Sequence, residues 1–194
     1  MTPPSMPPLA DGLYDARYEH DACGVALVAR LDNRPARDVV DQGLTALANL
    51  EHRGATGADK HTGDGAGMLV QMPDRFLRSV VDFELPESGR YGVAMCFLPR
   101  DAARRKLLED LLERNARVEG QVVLGWRDVP IDEAHVGTTA NETRPQIRQL
   151  FIGAGPGFMD DQDAFERKLY VIRRICELAA GPDFYVASCS YLAS

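Results

Sequence analysis

The sequence has few aromatic residues, no long apolar run and no closely spaced cysteines. Aromatic residues make up 7% of the 194 residues, and the four cysteines never form a Cys-x-x-Cys pair. No histidine or aspartate stands beside them at metal-ligand intervals, so the pattern does not indicate a metal site. No segment approaches the length of a transmembrane helix. The sequence therefore favours neither a metal centre nor a membrane protein.

Positive charge is also scarce. Lys and Arg total 22 against 29 Asp and Glu, which gives a net charge of −7. This balance argues against a surface for nucleic acid or anionic lipid. Residues 1–10 contain prolines at positions 3, 4, 7 and 8 but no basic or apolar signal region. We therefore expect an extended leader that is not a signal peptide, and a cytoplasmic protein.

Apolar runs and amphipathic segments follow this leader. Strand-like runs cover residues 24–29, 67–71, 91–98, 121–126, 146–152 and 184–192. Helical patterns cover residues 38–50, 101–117 and 161–180, and Gly181-Pro182 predicts the end of the last one. The helices fall singly between groups of strands, which favours sheets packed face to face with helices outside. Because the last strand-like run ends two residues before the end of the sequence, we expect this to be part of a longer chain.

Cys23 stands between a polar, turn-like segment and the apolar run that begins at Gly24. If the chain were cleaved before Cys23, one residue would carry both a thiol and a free α-amino group. An amine with a pKa of roughly 7.7–8.0 can accept the thiol proton near neutrality, so this residue would be a complete nucleophile and base. The alternative is a small core residue, since cysteine is among the most buried residue types. The other cysteines, Cys96, Cys176 and Cys189, lie in apolar runs and are expected in the core.

Residues 51–67 (EHRGATGADKHTGDGAG) form a glycine-rich segment. The spacing matches neither the Walker A motif nor the dinucleotide fingerprint. Asp59 and Asp64 lack the alternating carboxylates of a calcium loop. Local chemistry favours a turn-rich connection between a helix and a strand. If Arg53 faces Cys23, its permanent positive charge would favour the thiolate and organise a pocket around it.

Four blocks of residues occur together in a recognisable order. They are residues 14–24 (YDARYEHDACG), the glycine-rich segment, residues 125–130 (GWRDVP), and residues 183–186 (DFYV) with Ser188. Together they resemble the start of the large (α) chains of bacterial glutamate synthases, from Gly12 to Ser194.

The resemblance implies a class II glutamine amidotransferase domain over residues 23–194, after a propeptide over residues 1–22. The implied fold is α+β, a four-layer αββα sandwich of the N-terminal-nucleophile hydrolase type that is incomplete at its C-terminus. Cys23 would be the N-terminal nucleophile that hydrolyses L-glutamine to glutamate and ammonia, and Gly24 and Arg53 would be supporting residues.

For the complete chain, the resemblance implies a downstream synthase domain with FMN and an iron–sulfur cluster, where ammonia reductively aminates 2-oxoglutarate. A small NADPH/FAD subunit is the implied partner, although the sequence leaves the electron donor open between NADPH, NADH and ferredoxin. No cofactor or metal is expected within these 194 residues.

The family's Arg-Phe-Ser-Thr-Asn and His-Asn-Gly-Glu-Ile segments are absent. In the family these segments hold the glutamine carboxylate and supply the oxyanion hole. The substrate-binding residues are therefore expected beyond Ser194, and we expect this chain alone to be inactive.

Two alternatives stay open from the sequence. The chain could belong to another class II glutamine amidotransferase, or it could be a non-catalytic interaction domain in which Cys23 is structural. A terminal Cys23 that reacts with a glutamine-mimicking electrophile would indicate catalysis, whereas a buried structural thiol would be inert.

Overall fold

A computed structural model describes residues 24–32, 34–54, 59, 61–63, 65–182 and 184–194, with the backbone only at Arg53. The chain divides into two compact units. The first comprises Met1–Gly57 and Gly63–Ala66, and the second comprises Ala58–Thr62 and Gly67–Ser194.

The first unit contains helix α1, Arg37–Asn49, followed by a single 3₁₀ turn over Glu51–Arg53. Ahead of the helix, the guanidinium of Arg30 lies 2.9 Å from a carboxylate oxygen of Asp32 and 3.2 Å from one of Asp38, in the first turn of α1. The carboxylate of Asp38 thus places negative charge at the N-terminus of α1, where the helix macrodipole favours it.

The buried strand predicted over residues 24–29 is wrong for this structure. The segment has no strand hydrogen bonds within the described residues, and the side chains of Val25 and Leu27 are 87% and 92% exposed. The physical reason is that an apolar run becomes a strand only when a neighbouring backbone satisfies its N–H and C=O groups. Within the described residues no backbone does so here.

The second unit is built on one antiparallel sheet of four strands in the order β2-β3-β1-β4. The strands are β1 Tyr91–Leu98, β2 Val122–Asp128, β3 Gln146–Gly153 and β4 Tyr185–Ser190. The helices are α2 Asp74–Val80, α3 Ala102–Val118, α4 Thr138–Thr143 and α5 Gln162–Ala180. A second 3₁₀ turn covers Glu133–His135.

Helices α3 and α5 pack on one face of this sheet and on each other. Their N-termini are capped by Asp101 and Asp161, whose carboxylates accept backbone N–H groups at 2.7 and 2.9 Å. Helix α5 ends at Gly181, which has a φ of 75° that favours glycine, so the predicted stop is confirmed. The core between helices and sheet includes Leu112, Leu150, Ile152, Phe165, Leu169, Ile172 and Val186.

The opposite face of the sheet carries a smaller apolar cluster under α2. Leu77 of α2 packs with Tyr91, Val93 and Phe151, all buried. The rings of Phe83 and Phe151 meet edge to face with centroids 5.3 Å apart, an arrangement that aromatic pairs prefer. Both faces of the sheet are therefore in contact with other parts of the second unit.

The strand predicted over residues 67–71 is reduced to one bridge between Gln71 and Ala193. Val70 and Ser194 exchange two backbone hydrogen bonds of 3.0 Å beside it. Two short helices, α2 and α4, were not predicted, because segments of 7 and 6 residues are too short to show a helical period.

The mixture of helices with an antiparallel sheet confirms the predicted α+β class and is compatible with a class II amidotransferase domain. Among the described residues, no helix combines the length and apolar character needed to cross a bilayer.

Gly125 lies directly against the ring of Phe83. A Cβ at this position would lie 2.6 Å from one ring carbon and 2.7 Å from another. We expect Gly125→Ala to destabilise the second unit by about 1–3 kcal/mol, because the ring must move out of a packed cluster. Gly157→Ala is the control, since a Cβ there has nothing within 4 Å. Thermal unfolding of the two variants measures the difference, and equal melting temperatures would contradict the expectation.

Candidate functional site

Cys23 itself lies outside the described residues, but its neighbour Gly24 is described. A Cβ on Gly24 would lie 2.9 Å from Cδ2 of Leu50, the residue after α1. The backbone that follows Cys23 therefore passes close to the end of α1, within the first unit, and a Cβ at position 24 would require the Leu50 side chain to move.

Arg53 closes the 3₁₀ turn that follows α1, and its side chain is not described. The preceding residue, His52, is exposed, and its Nδ1 lies 3.0 Å from the carbonyl oxygen of Asn49. Since neither Cys23 nor the Arg53 side chain is described, their proximity stays a prediction.

Asp59, which the sequence suggested only as a poor calcium ligand, makes the most specific contacts among the described residues of the glycine-rich segment. Its Oδ1 accepts the backbone N–H of His61 at 3.1 Å. Its Oδ2 accepts the hydroxyl of Thr62 at 3.1 Å and the backbone N–H of Thr139 at 3.4 Å. The bond from His61 is the largest contribution that lowers the pKa of Asp59, so the carboxylate stays ionised at neutral pH.

The chain around α4 packs closely against the side chains of Asp59 and Thr62. The hydroxyl oxygen of Thr62 accepts the backbone N–H of Ala140 at 3.2 Å, and the N–H of Gly137 donates to the carbonyl of His61 at 3.2 Å. A Cβ on Gly137 would clash with Thr62 and would lie 2.6 Å from Oδ2 of Asp59. We call Asp59, Thr62 and residues 137–140 the Asp59 cluster. The sequence offered no sign of it, because its two halves are 80 residues apart.

The GWRDVP block proves to be a structural element of β2. The indole Nε1 of Trp126 donates to Glu113 of α3 at 2.9 Å, and the guanidinium of Arg148 lies 5.2 Å from the centre of a Trp126 ring. Arg148 also donates to Asp128 at 2.7 Å and to the buried Glu109 at 2.6 Å. These contacts join β2, β3 and α3, so the block stabilises the packing of α3 on the sheet.

The opposite side of the same block contacts α2. Arg127 donates to Gln149 at 2.7 Å, and its guanidinium lies 5.7 Å from the ring centre of Phe76. Residues of the GWRDVP block thus make packing contacts on both faces of the sheet. Strand β2 ends at Asp128, before Val129-Pro130, as the charged turn in the sequence predicts.

The other three cysteines are buried in the core between helices and sheet, as predicted. Burial raises the pKa of Cys176 to about 11 and that of Cys189 to about 12, and it raises the pKa of Cys96 well above its ordinary value. Since the thiolate is the reactive form, these three thiols are unreactive near neutral pH.

Within the described residues, no three histidine, cysteine or carboxylate side chains are grouped so that they could hold a metal ion. The described residues therefore do not fit an iron–sulfur cluster.

Comparison with known proteins defines the class. The family of class II glutamine amidotransferases matches residues 23–193. The chain therefore belongs to this family. It is 48% identical over 187 residues to the "Glutamate synthase [NADPH] large chain" of Bacillus subtilis (strain 168), an alignment that covers 94% of this chain. It is 40% identical over 185 residues to the protein of the same name from Azospirillum brasilense, with 91% of this chain covered.

A third relative is the "Ferredoxin-dependent glutamate synthase 2" of Synechocystis, 37% identical over 175 residues and 89% of this chain. The resemblance to glutamate synthase large chains inferred from the four sequence blocks is thus confirmed. The chain spans only 12% of the length of the Bacillus and Azospirillum proteins and 11% of the Synechocystis protein.

Proposed function

We propose that this chain is the glutamine-hydrolysing region at the start of a glutamate synthase large chain. The observation that carries the proposal is the family match, which begins at residue 23, the position of the candidate nucleophile. The similarity to glutamate synthases over most of the chain supports this assignment over another class II amidotransferase. In this proposal residues 1–22 are a propeptide and residues 23–194 belong to the amidotransferase domain.

The proposed chemistry uses the two functional groups of a terminal Cys23. The α-amine accepts the thiol proton, and the thiolate attacks the side-chain amide carbon of glutamine. The tetrahedral intermediate collapses as the protonated amine returns its proton to the departing nitrogen, which leaves as ammonia. Water, deprotonated by the same amine, then hydrolyses the γ-glutamyl thioester and releases glutamate and the free thiol.

Gly24 and Arg53 have supporting roles in this scheme. Gly24 allows the chain to pass Leu50 directly after the nucleophile, which supports a fixed course for the backbone there. Arg53 supplies a permanent positive charge that favours the thiolate if it faces Cys23. The residues that hold glutamine and its oxyanion lie beyond Ser194 in the proposal, so the 194-residue chain alone is expected to be inactive.

The proposed architecture is the four-layer αββα sandwich of N-terminal-nucleophile hydrolases. The packing of α3 and α5 on one face of the sheet supports one outer layer and one sheet of this arrangement. The antiparallel pairing of Val70 and Ser194 is consistent with the edge of a second sheet.

The longer chain is proposed to contain a synthase domain with FMN and an iron–sulfur cluster. These groups would supply electrons for the reductive amination of 2-oxoglutarate. A small NADPH/FAD subunit is the proposed partner, and the cytoplasm is the proposed location.

The proposal is tested on the native protein by its N-terminal sequence and by labelling with 6-diazo-5-oxo-L-norleucine, a glutamine-mimicking electrophile. We expect a mature chain that begins at Cys23 and carries one label there. Cys96, Cys176 and Cys189 should stay unlabelled at pH 8. Thiols with the pKa values of Cys176 and Cys189, about 11 and 12, are less than about 1% ionised at that pH, and burial raises the pKa of Cys96 well above its ordinary value.

Denaturation provides the control for this experiment, since unfolding exposes the three core thiols to an alkylating reagent. A native chain that still begins at Met1 would leave the amine of Cys23 in a peptide bond and would refute the proposal. Equal labelling of all four cysteines in the folded protein would equally refute it.

A further inference from the structure

The Asp59 cluster connects the glycine-rich segment to the chain that enters α4. Both oxygens of the Asp59 carboxylate act as acceptors, and their donors lie both within the segment and at Thr139. Thr62 continues the connection through the N–H of Ala140. Asp59 and Thr62 are thus held against residues 137–140 by hydrogen bonds of their side chains, within the second unit.

The contacts in the Asp59 cluster restrict which residues can occupy both position 59 and position 137. An asparagine at position 59 would keep one acceptor but would present an NH₂ group where Oδ2 now accepts two donors. On the other side, Gly137 has no room for a Cβ beside Oδ2 of Asp59. A contact that needs a carboxylate on one side and a glycine on the other is more specific than ordinary helix capping, which asparagine serves equally well.

The position of the cluster in the sequence connects it with the candidate chemistry. Arg53 precedes Asp59 by six residues, and four glycines fall between positions 54 and 65. A glycine-rich backbone has many accessible conformations, so its course must be fixed by anchoring contacts if it is to present groups reproducibly. Displacement of a positioning segment by about 1 Å can lower a catalytic rate by about 10²-fold.

We propose that Asp59 is a positioning residue for glutamine hydrolysis, which it supports by fixing His61 and Thr62 against residues 137–140. This inference rests on the proposed function. It concerns the rate of the reaction with glutamine and not the intrinsic reactivity of the Cys23 thiol.

The test compares Asp59→Asn with the wild type in the full-length protein. We expect kcat/KM for glutamine hydrolysis to fall about 10-fold or more, because the acceptor for Thr62 and Thr139 is lost. Alkylation of Cys23 by iodoacetamide, which needs no glutamine site, should change less than about twofold. Asp161→Asn is the matched control, since Asp161 caps α5 through a single N–H and asparagine is an equally good cap. Its kcat/KM should equal that of the wild type.

A second pair of variants keeps the inference testable if Asp59→Asn fails to fold. Thr62→Val removes the hydroxyl with little change of shape, whereas Thr62→Ser retains it. The valine variant should lose activity with glutamine and the serine variant should keep it, with equal melting temperatures. Gly137→Ala should reproduce the loss, and its effect should not add to that of Asp59→Asn, because both disrupt one contact.

The outcomes separate the two proposals. A wild-type enzyme that does not hydrolyse glutamine refutes the proposed function. An active wild type with fully active Asp59→Asn and Thr62→Val variants refutes only the positioning role. A loss of activity that merely follows the fraction of unfolded protein also refutes it, since that result indicates a structural contact alone.

Discussion

Replacing Cys23 by alanine in the full-length protein is expected to lower the rate of glutamine hydrolysis by about 10⁴-fold or more, as loss of a covalent nucleophile does. Without the thiol, no thioester can form, and the α-amine alone has no nucleophile to activate. A glutaminase assay that detects released ammonia measures the effect. If the longer chain has the proposed synthase domain, glutamate formation from added ammonium should continue, because it bypasses the amide hydrolysis that the variant has lost.

Cys189→Ala is the matched control for this result. Cys189 is buried in the core, and its pKa is raised to about 12 by burial, so it has no role as a nucleophile. The variant should keep the wild-type rate of glutamine hydrolysis and the label at Cys23, with a small loss of stability. Substantial hydrolysis by Cys23→Ala, or loss of hydrolysis in a folded Cys189→Ala protein, would contradict the assignment of the nucleophile.

Phe151→Ala is expected to destabilise the second unit by about 3–5 kcal/mol. The Phe151 side chain is fully buried in β3 and contacts both Phe83 and Tyr91, with ring centroids 5.3 and 6.4 Å apart. Truncation leaves a cavity between the sheet and α2 that a rigid strand cannot close. Urea denaturation of the 194-residue chain, followed by pulse proteolysis, measures the change.

Tyr170→Ala provides the comparison for an exposed aromatic residue. Tyr170 lies on α5 and is 61% exposed, and alanine is a better helix former than tyrosine. Its free energy of unfolding should stay within about 0.5 kcal/mol of the wild-type value. Equal destabilisation by the two substitutions would show that the cluster under α2 contributes little to the stability of the fold.

The long periodic elements could be predicted from the sequence because their pattern is local. The run over residues 91–98 coincides with β1, and the amphipathic pattern over residues 161–180 coincides with α5 to within one residue. The predicted strand over residues 24–29 failed for the converse reason. An apolar run indicates that a segment tends to be buried. It forms a strand only if the backbone of another segment, elsewhere in the chain, pairs with it.

The residues of the candidate site, too, could be predicted from the sequence only in part. Cys23, Gly24 and Arg53 were identified from sequence blocks, and the family match supports the class of protein to which those blocks belong. Asp59 was considered only as a metal ligand, because nothing near it in the sequence indicates Thr139 as its partner. Likewise, the GWRDVP block gave no sign that Trp126 donates to Glu113 of α3.

The sequence by itself determined the family and the long helices and strands, since these depend on residue identity and on periods of two or 3.6 residues. The tertiary structure decided which side chains meet. It placed Asp59 against the chain at Gly137, Trp126 against Glu113, and the three unreactive thiols in the core. The physical reason is that such contacts join residues far apart in the chain, whose separation is fixed only when the whole unit packs.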